Sequence, residues 1–403
     1  MVQHSFTQVT RTSWFGRMGR SFKGILVGII LFAISFPVLW INEGRAVRRT
    51  RDLREGEGQV VSIDANDTAA EFDRKLVHLS GRADTDELLQ DRDFPVSAVA
   101  LRLERQVEMY QWEERERRET RRRVGGGEET VTTYSYSKTW SPRVIRSSQF
   151  RQPGGHENPT RMEYEADEVL AANVELGAYR LAPAQVRRIS VYESLRVDDD
   201  VINQLPERLR DRAHVTTDGL YIGANPSDPQ VGDLRISFRF VPPTDVSIVS
   251  RRVGNTFEPF SARYGTIDLL QTGIVSAERM LEAAHQANTA LTWILRFVGL
   301  FLMMMGLRLV LEPLAVIADV IPLLGNILRM GSGIFSFVIA LALSLVTVAI
   351  AWIAYRPLVG GSLLALAVAC VVVVGQRGKK EAAALEPVSP GAPPPTPPPP
   401  PPP

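Results

Sequence analysis

GILVGIILFAISFPVLWI, residues Gly24–Ile41, decides how the rest of the chain is read. This run of 18 residues carries no charge and is bounded by Lys23 and by Glu43-Gly44-Arg45. About 20 apolar residues at 1.5 Å rise cover a hydrocarbon core of about 30 Å, so the run reads as a spanning helix. Pro37 falls late in it, where a kink is tolerated. No small-x-small cleavage site follows, only Trp40-Ile41-Asn42-Glu43, and the preceding 23 residues are long for a leader. An uncleaved signal anchor is therefore expected over a cleaved signal peptide.

Outward from this run, the 403 residues divide by charge. Three further apolar runs lie near the other end, at 291–311, 333–354 and 357–375. The middle holds most of the 45 acids and 46 bases, so the net charge of +1 averages two unlike regions and gives no basic field for nucleic acid. The single cysteine, Cys370, sits in the last apolar run, which excludes an intrachain disulfide framework or a cysteine-built zinc site. Lysine occurs only at 23, 75, 138, 379 and 380, and arginine outnumbers it about eightfold, which suggests a GC-rich, bacterial source.

The fold class expected is an α+β membrane protein, with a β-rich extracytoplasmic domain between one N-terminal and three C-terminal transmembrane helices. The segments are a cytoplasmic N-terminus 1–23, helix 24–41, a domain 42–290, helix 291–311, an amphipathic or re-entrant segment 312–332, helices 333–354 and 357–375, and a Pro-rich tail 376–403. Four bases precede the first span and five follow it, so the positive-inside rule does not orient it. The flank Arg377, Lys379, Lys380 favours an inside tail, and four spans then put both termini inside and the domain outside.

Within the domain, Ala98–Trp112 alternates for much of its length and runs into the charged stretch Glu113–Arg123. Gly125-Gly126-Gly127 follows, then TVTTYSYSKTW to Trp140, rich in residues that favour pleated surfaces. The whole reads as a long hairpin turning at the glycines. With the turn centred on Gly126, Trp112 faces Trp140, and Tyr110, Tyr134 and Tyr136 share that face. Tyr110, Trp112, Tyr134, Tyr136 and Trp140 are thus a candidate interaction surface. The charged arm reads as a solvated strand end or helix, since its acids and bases interleave. Leu220–Gly223 and Leu234–Val241 repeat the short-strand, loop, long-strand pattern of Leu76–Trp112, a candidate internal duplication.

From Ser276, a capping residue, the pattern turns helical and runs straight into the second span. Arg296 and Arg308 are spaced to snorkel to opposite faces. Arg308 and Glu312 stand at i,i+4, and Asp319 follows, so these three are candidate membrane-embedded polar residues for an ion or substrate path. The final GAPPPTPPPPPPP reads as polyproline II, either a docking tail or a low-complexity end.

No GxSxG, HExxH, Walker A or dinucleotide fingerprint occurs, and His4, His78, His156, His214 and His285 are scattered. Asp198-Asp199-Asp200 lacks EF-hand spacing. The residues point to no catalytic set, no metal and no cofactor, and a non-enzymatic protein is expected.

Several strings resemble the LUMA family, known in animals as transmembrane protein forty-three: Asn42-Glu43-Gly44-Arg45-Ala46 after the first span, Val107–Trp112 (VEMYQW), Gly155-His156, Asn158-Pro159, Asn225-Pro226, Val231–Arg235 (VGDLR), Pro259-Phe260-Ser261, Ser276-Ala277-Glu278, Gly306-Leu307, Asp319 with Pro322, and Tyr355–Leu358. VEMYQW and VGDLR are the most specific. The hairpin tip Arg121–Gly127 and the Pro-rich tail depart from the family pattern. The resemblance implies four spans, a large lumenal domain, cytosolic termini and self-association. Its animal members look like organisers at the endoplasmic reticulum and inner nuclear membrane, with lamins and emerin as partners that a bacterium lacks. The function expected is a self-associating membrane scaffold of the bacterial inner membrane, with lipids and unidentified envelope proteins as partners and no nucleic acid. The alternative is a channel or transporter built from the C-terminal helices.

Overall fold

Two sheets carry the water-facing part of the protein, and one pair of helices of more than 40 residues each carries it to the membrane. The fold is that of a computed structural model, which describes residues 4–122, 127–318 and 322–357. Its principal elements are strand β1 (His4–Thr12), helix α1 (Trp14–Gln59), strands β2 (Leu76–Asp84), β3 (Arg102–Arg122), β4 (Glu128–Ser141), β5 (Leu234–Val241) and β6 (Thr244–Val253), and helices α2 (Ala277–Ala318) and α3 (Pro322–Tyr355).

The first sheet runs in the order β1, β4, β3, β5, then Gly219–Ile222 and Ala213–Thr216. The neighbouring pairs along this order are antiparallel. In β5 the alternation is explicit: Leu234, Ile236 and Phe238 are buried while Arg235, Ser237 and Arg239 are half-exposed. The second sheet centres on β6 and β2, which pair antiparallel from Thr244↔Ala83 to Arg251↔Leu76. Pro242-Pro243, which cannot donate to a ladder, separate β5 from β6 where the chain passes between sheets. One core joins the sheets, with Val77 and Leu79 from β2, Leu103 from β3, and Val246 and Ile248 from β6 all buried together. A second core, including Val107, Met109, Phe94, Leu220, Leu234 and Phe238, lies under the other end of the first sheet.

Helix α1 starts at Ser13, whose hydroxyl accepts from Gly16 N at 3.2 Å, and runs 46 residues through Pro37 without a break. The apolar run is thus the middle of a helix that continues through the NEGRA string into the domain. There Leu53 is fully buried, and a Cβ on Gly56 would lie 2.5 Å from Ile267 Cδ1. Helix α2 returns beside α1. A Cβ on Gly28 would lie 2.7 Å from the Gly306 carbonyl oxygen, and one on Gly306 equally 2.7 Å from that of Gly28. Backbones approach this closely only where both residues lack side chains, the small-residue contact by which membrane helices pack. The outward faces, among them Leu26, Ile30, Phe297 and Phe301, are exposed and apolar.

The structure corrects the expected fold class. Three described helices are long and apolar enough to cross a membrane: α1, Ala277–Pro313 of α2, and Gly333–Tyr355 of α3. That is one N-terminal and two C-terminal helices, not three, around the β-rich domain. The chain divides into units 1–344 and 345–403, with the boundary inside α3. Beyond Pro357 the expected span 357–375 and tail lie outside the described residues. With three spans among the described residues, the two termini are not placed on one side of the membrane by counting spans. In 312–332, α2 continues past Pro313 to Ala318 and α3 begins at Pro322.

Two further departures matter for the site. Residues 4–12, read as part of the cytoplasmic N-terminus, form β1 along nine of the 14 residues of the outer edge of β4, from His4↔Tyr136 to Thr12↔Glu128. The suggested duplication has different pairings in its two halves: β5 pairs with Gly219–Ile222 in one sheet, whereas β2 and β3 stand in different sheets.

Candidate functional site

The β3–β4 ribbon pairs from Met109↔Ser141 to Arg122↔Glu128, symmetrically about position 125. The expected centre, Gly126, was one residue off, so Tyr110 rather than Trp112 stands opposite Trp140, and Trp112 faces Lys138. The shift moves each partner by two residues and keeps parity, so Tyr110, Trp112, Tyr134, Tyr136 and Trp140 do share one face.

At the ribbon root this face is built into the domain. The Tyr110 and Trp140 rings lie 5.1 Å apart, and the Arg235 guanidinium covers Trp140 at 4.2 Å. Lys138 Nζ sits 5.2 Å from the Trp112 ring centre. His156 meets Trp112 edge-on at 4.8 Å and stacks on Tyr136 at 4.0 Å. The Tyr136 hydroxyl donates to Glu114 Oε2 at 2.6 Å and accepts from Gln152 N at 2.9 Å. Burial, and the Glu114 carboxylate beside it, push the Tyr136 phenol up to about 12. Tyr134 lies further out, stacked on Phe6 of β1.

The loops that hold this face contain the strings singled out in the sequence. Asn158 completes the edge of β3: its Oδ1 accepts from Trp112 N at 2.7 Å, and its Nδ2 donates to Trp112 O at 2.9 Å. In VGDLR, Asp233 accepts from Tyr221 Oη at 2.5 Å and Gln230 N at 2.7 Å, locking the turn into β5. Burial first, then Asp233, raises the Tyr221 pKa. The strings Val107–Trp112, Gly155-His156, Asn158-Pro159 and Val231–Arg235, far apart in sequence, therefore meet at one place.

Beyond the root the ribbon is charged on both faces. Nine of the ten residues Glu113–Arg122 are acids or bases, and pairs such as Arg118 with Glu116 form along it. A charge at mid-bilayer costs about 2.5–3.5 kcal/mol on insertion scales, so even four of them in lipid would cost about 10 kcal/mol. The outer ribbon belongs in water.

A second cluster sits where α1 and α2 leave the apolar runs. Glu43, 2% exposed, accepts two hydrogen bonds from Arg296, Nε at 2.6 Å and Nη2 at 2.9 Å. The Arg296 guanidinium also lies 4.7 Å from the Trp293 ring centre. One turn on, Arg45 donates to Asn288 Oδ1 at 2.9 Å and Thr292 Oγ1 at 3.1 Å. Asn42 Nδ2 donates to the Thr292 carbonyl at 3.0 Å, and Asn288 Nδ2 to the Ala46 carbonyl at 3.1 Å. This clasp ties the two helices together just past the first apolar run. The clasp was not legible in the sequence, where Arg296 has the spacing of a snorkelling residue. Glu43 and Arg296 at the ends of two apolar runs carried the signal.

The other membrane candidates do not converge. Arg308 and Glu312 are both exposed on α2, and no ion pair joins them; Asp319 lies outside the described residues. Among the described residues no group of three or more His, Cys, Asp or Glu is arranged to hold a metal. The chemistry of both clusters is that of positioning and contact: buried ion pairing, stacked rings and edge hydrogen bonds.

A family model described as Transmembrane protein 43 matches residues 109–357. The chain is 34% identical over 387 residues to Transmembrane protein 43 of Homo sapiens, covering 92% of this chain and 93% of that protein. It is 32% identical to the Mus musculus protein over 386 residues, 92% and 94% of the two chains. It is 30% identical to the Drosophila melanogaster homolog over 358 residues, 84% and 90% of the two. These relatives are animal proteins and give no support to a bacterial source. No solved structure matches. The match runs through the ribbon root and both ends of the helix clasp, and the chain belongs to the transmembrane protein 43 (LUMA) family, as a multi-pass membrane protein.

Proposed function

We propose that this protein is a non-enzymatic membrane scaffold that self-associates and presents its β-rich domain to protein or lipid partners. One observation carries the reading. Helices α1 and α2 pass unbroken from their apolar runs into the domain core, where Leu53, Leu281 and Met280 are buried. A domain held on two continuous helices, clasped by Glu43–Arg296 at the boundary, has a fixed height and orientation over the bilayer. Such a mount suits a protein that positions other molecules. The aromatic ribbon root, rigid through Asn158 and Asp233, offers the contact surface.

The compartment is part of the proposal. A bacterial inner membrane rests on the arginine-rich composition alone; the endoplasmic reticulum or nuclear envelope, which the resemblance implies for animal members, is the competing placement. Arg308 and Glu312 stand exposed on one helix face, which does not favour the channel.

The test is the size of native complexes extracted from membranes. The scaffold predicts an oligomer that shrinks when the domain surface is altered, as in Tyr110→Ala/Trp140→Ala, without loss of the folded monomer. Monomers throughout, with ion flux in liposomes, would reject it. Labelling of the pure protein by a fluorophosphonate would reopen an enzymatic reading.

A further inference from the structure

Helix α1 and the β3–β4 ribbon both rise from the β-rich domain and meet again at their far ends. At the far end β1 lies on β4, Arg20 donates to Thr12 Oγ1 at 2.9 Å, and Arg17 pairs with Glu128 at 3.7 Å. At the near end Asp52 of α1 accepts from Tyr264 N at 2.9 Å, and Met109 of β3 pairs with Leu234. Between these points α1 rises about 52 Å from Arg17 to Asp52 and β3 about 43 Å from Met109 to Arg122, so a ribbon whose end meets Arg17 runs past the level of Gly24–Ile41. A bilayer crossed by Gly24–Ile41 in this arrangement would also contain the charged ribbon, which lipid does not accept. Pairing of β1 with β4 and a spanning α1 therefore exclude each other in one chain.

We propose that β1 is a removable cap: it covers β4 before insertion, is left on the opposite side of the bilayer once α1 spans, and the bared edge of β4 then pairs with β4 of a second copy. The edge is already shown to accept a nine-residue antiparallel strand. Its stretch Thr130–Ser137 has no charge, the kind of edge that pairs with other chains unless covered. Self-pairing also satisfies its ends. An antiparallel β4–β4 pair centred on Thr133 places Glu128 of each copy opposite Lys138 of the other, twice, and opposite charges directly across a ladder are favourable. Removing β1 takes Arg17 from Glu128 and Arg11 from Glu129, so this register replaces a lost cation with Lys138. The inference rests on the self-association reading and names the surface that serves it.

Thr7 and Thr133 are ladder partners, close enough for a disulfide. In a Cys370→Ser background, full-length Thr7→Cys/Thr133→Cys is synthesised without and with phospholipid vesicles and oxidised. The intrachain disulfide is expected in the membrane-free chain and at least tenfold less in carbonate-resistant, inserted chains. Inserted Thr133→Cys alone is expected to give a crosslinked pair, and Thr7→Cys to resist a bulky maleimide added on the domain side of sealed vesicles. An intrachain disulfide persisting in inserted chains overturns the cap, as does its absence from membrane-free chains. Inserted Thr133→Cys that stays uncrosslinked overturns the docking edge. Native complexes of undiminished size beside that last result would fell the edge alone, whereas monomers would fell the scaffold reading with it.

Discussion

Glu43→Ala should be among the most damaging single changes outside the two β cores. It removes both hydrogen bonds from Arg296, whose side chain is 19% exposed, and leaves a guanidinium at the helix boundary without its carboxylate. Breaking one side of a buried ion pair costs about 3–5 kcal/mol, because the remaining charge keeps its desolvation penalty. At about 2–4 °C per kcal/mol for a domain of this size, the melting midpoint should fall by about 6–20 °C. Arg296→Ala should cost a similar amount. Glu43→Leu/Arg296→Met removes both charges and the penalty with them, so it should recover most of the loss. The assay is thermal unfolding in nanodiscs, followed by protection of the β domain from protease. A single variant within about 1 kcal/mol of the parent, or a double variant no better than the worse single, would refute the clasp.

Three further outcomes follow from the same geometry. Gly306→Val puts a branched side chain where even a Cβ meets backbone at 2.7 Å, so α1 and α2 must separate; a cost of about 1–3 kcal/mol and a longer 28–306 distance by spin labels are expected. Asn158→Ala strips both edge bonds from Trp112 and should cost about 2–3 kcal/mol, read by denaturant unfolding and by Trp112 fluorescence. The Tyr136 phenol is raised to about 12, so the folded state holds its proton more tightly than the unfolded chain. Its stabilisation is complete below about pH 10 and is lost as pH rises toward 12. Tyr136→Phe should therefore flatten the stability slope between pH 10 and 12, checked by alkaline unfolding alongside phenolate absorbance.

The first span and the ribbon were legible because each is written in one local pattern. Eighteen uncharged residues at Gly24–Ile41 suffice for a span, and the Thr, Tyr and Val of Thr130–Trp140 suffice for a strand. The aromatic face was readable despite a misplaced turn, since a shift of two residues conserves strand parity. What was not legible depended on distant partners. His4–Thr12 is polar on both parities and gives no alternation, so only the open edge of β4 reveals it as a strand. The clasp joins residues more than 240 positions apart, and neither Glu43 nor Arg296 shows its role until the two helices are placed side by side. The full extent of α1 was not legible, because an apolar run marks only the part of a helix that meets lipid. Helix α1 carries Arg45, Arg48 and Arg51 onward to Gln59, and α2 passes Pro313, where tertiary packing outweighs local propensity.

The most direct measurement is zero-length carbodiimide crosslinking in native membranes that carry an equal mixture of isotopically light and heavy copies. Glu128 and Lys138 lie ten residues apart on one extended strand, about 33 Å, so a Glu128–Lys138 link within one copy is out of reach. The account predicts light–heavy linked peptides within the β domain, Glu128–Lys138 among them. Links confined to single copies, at high coverage of the domain, would contradict a self-associating scaffold.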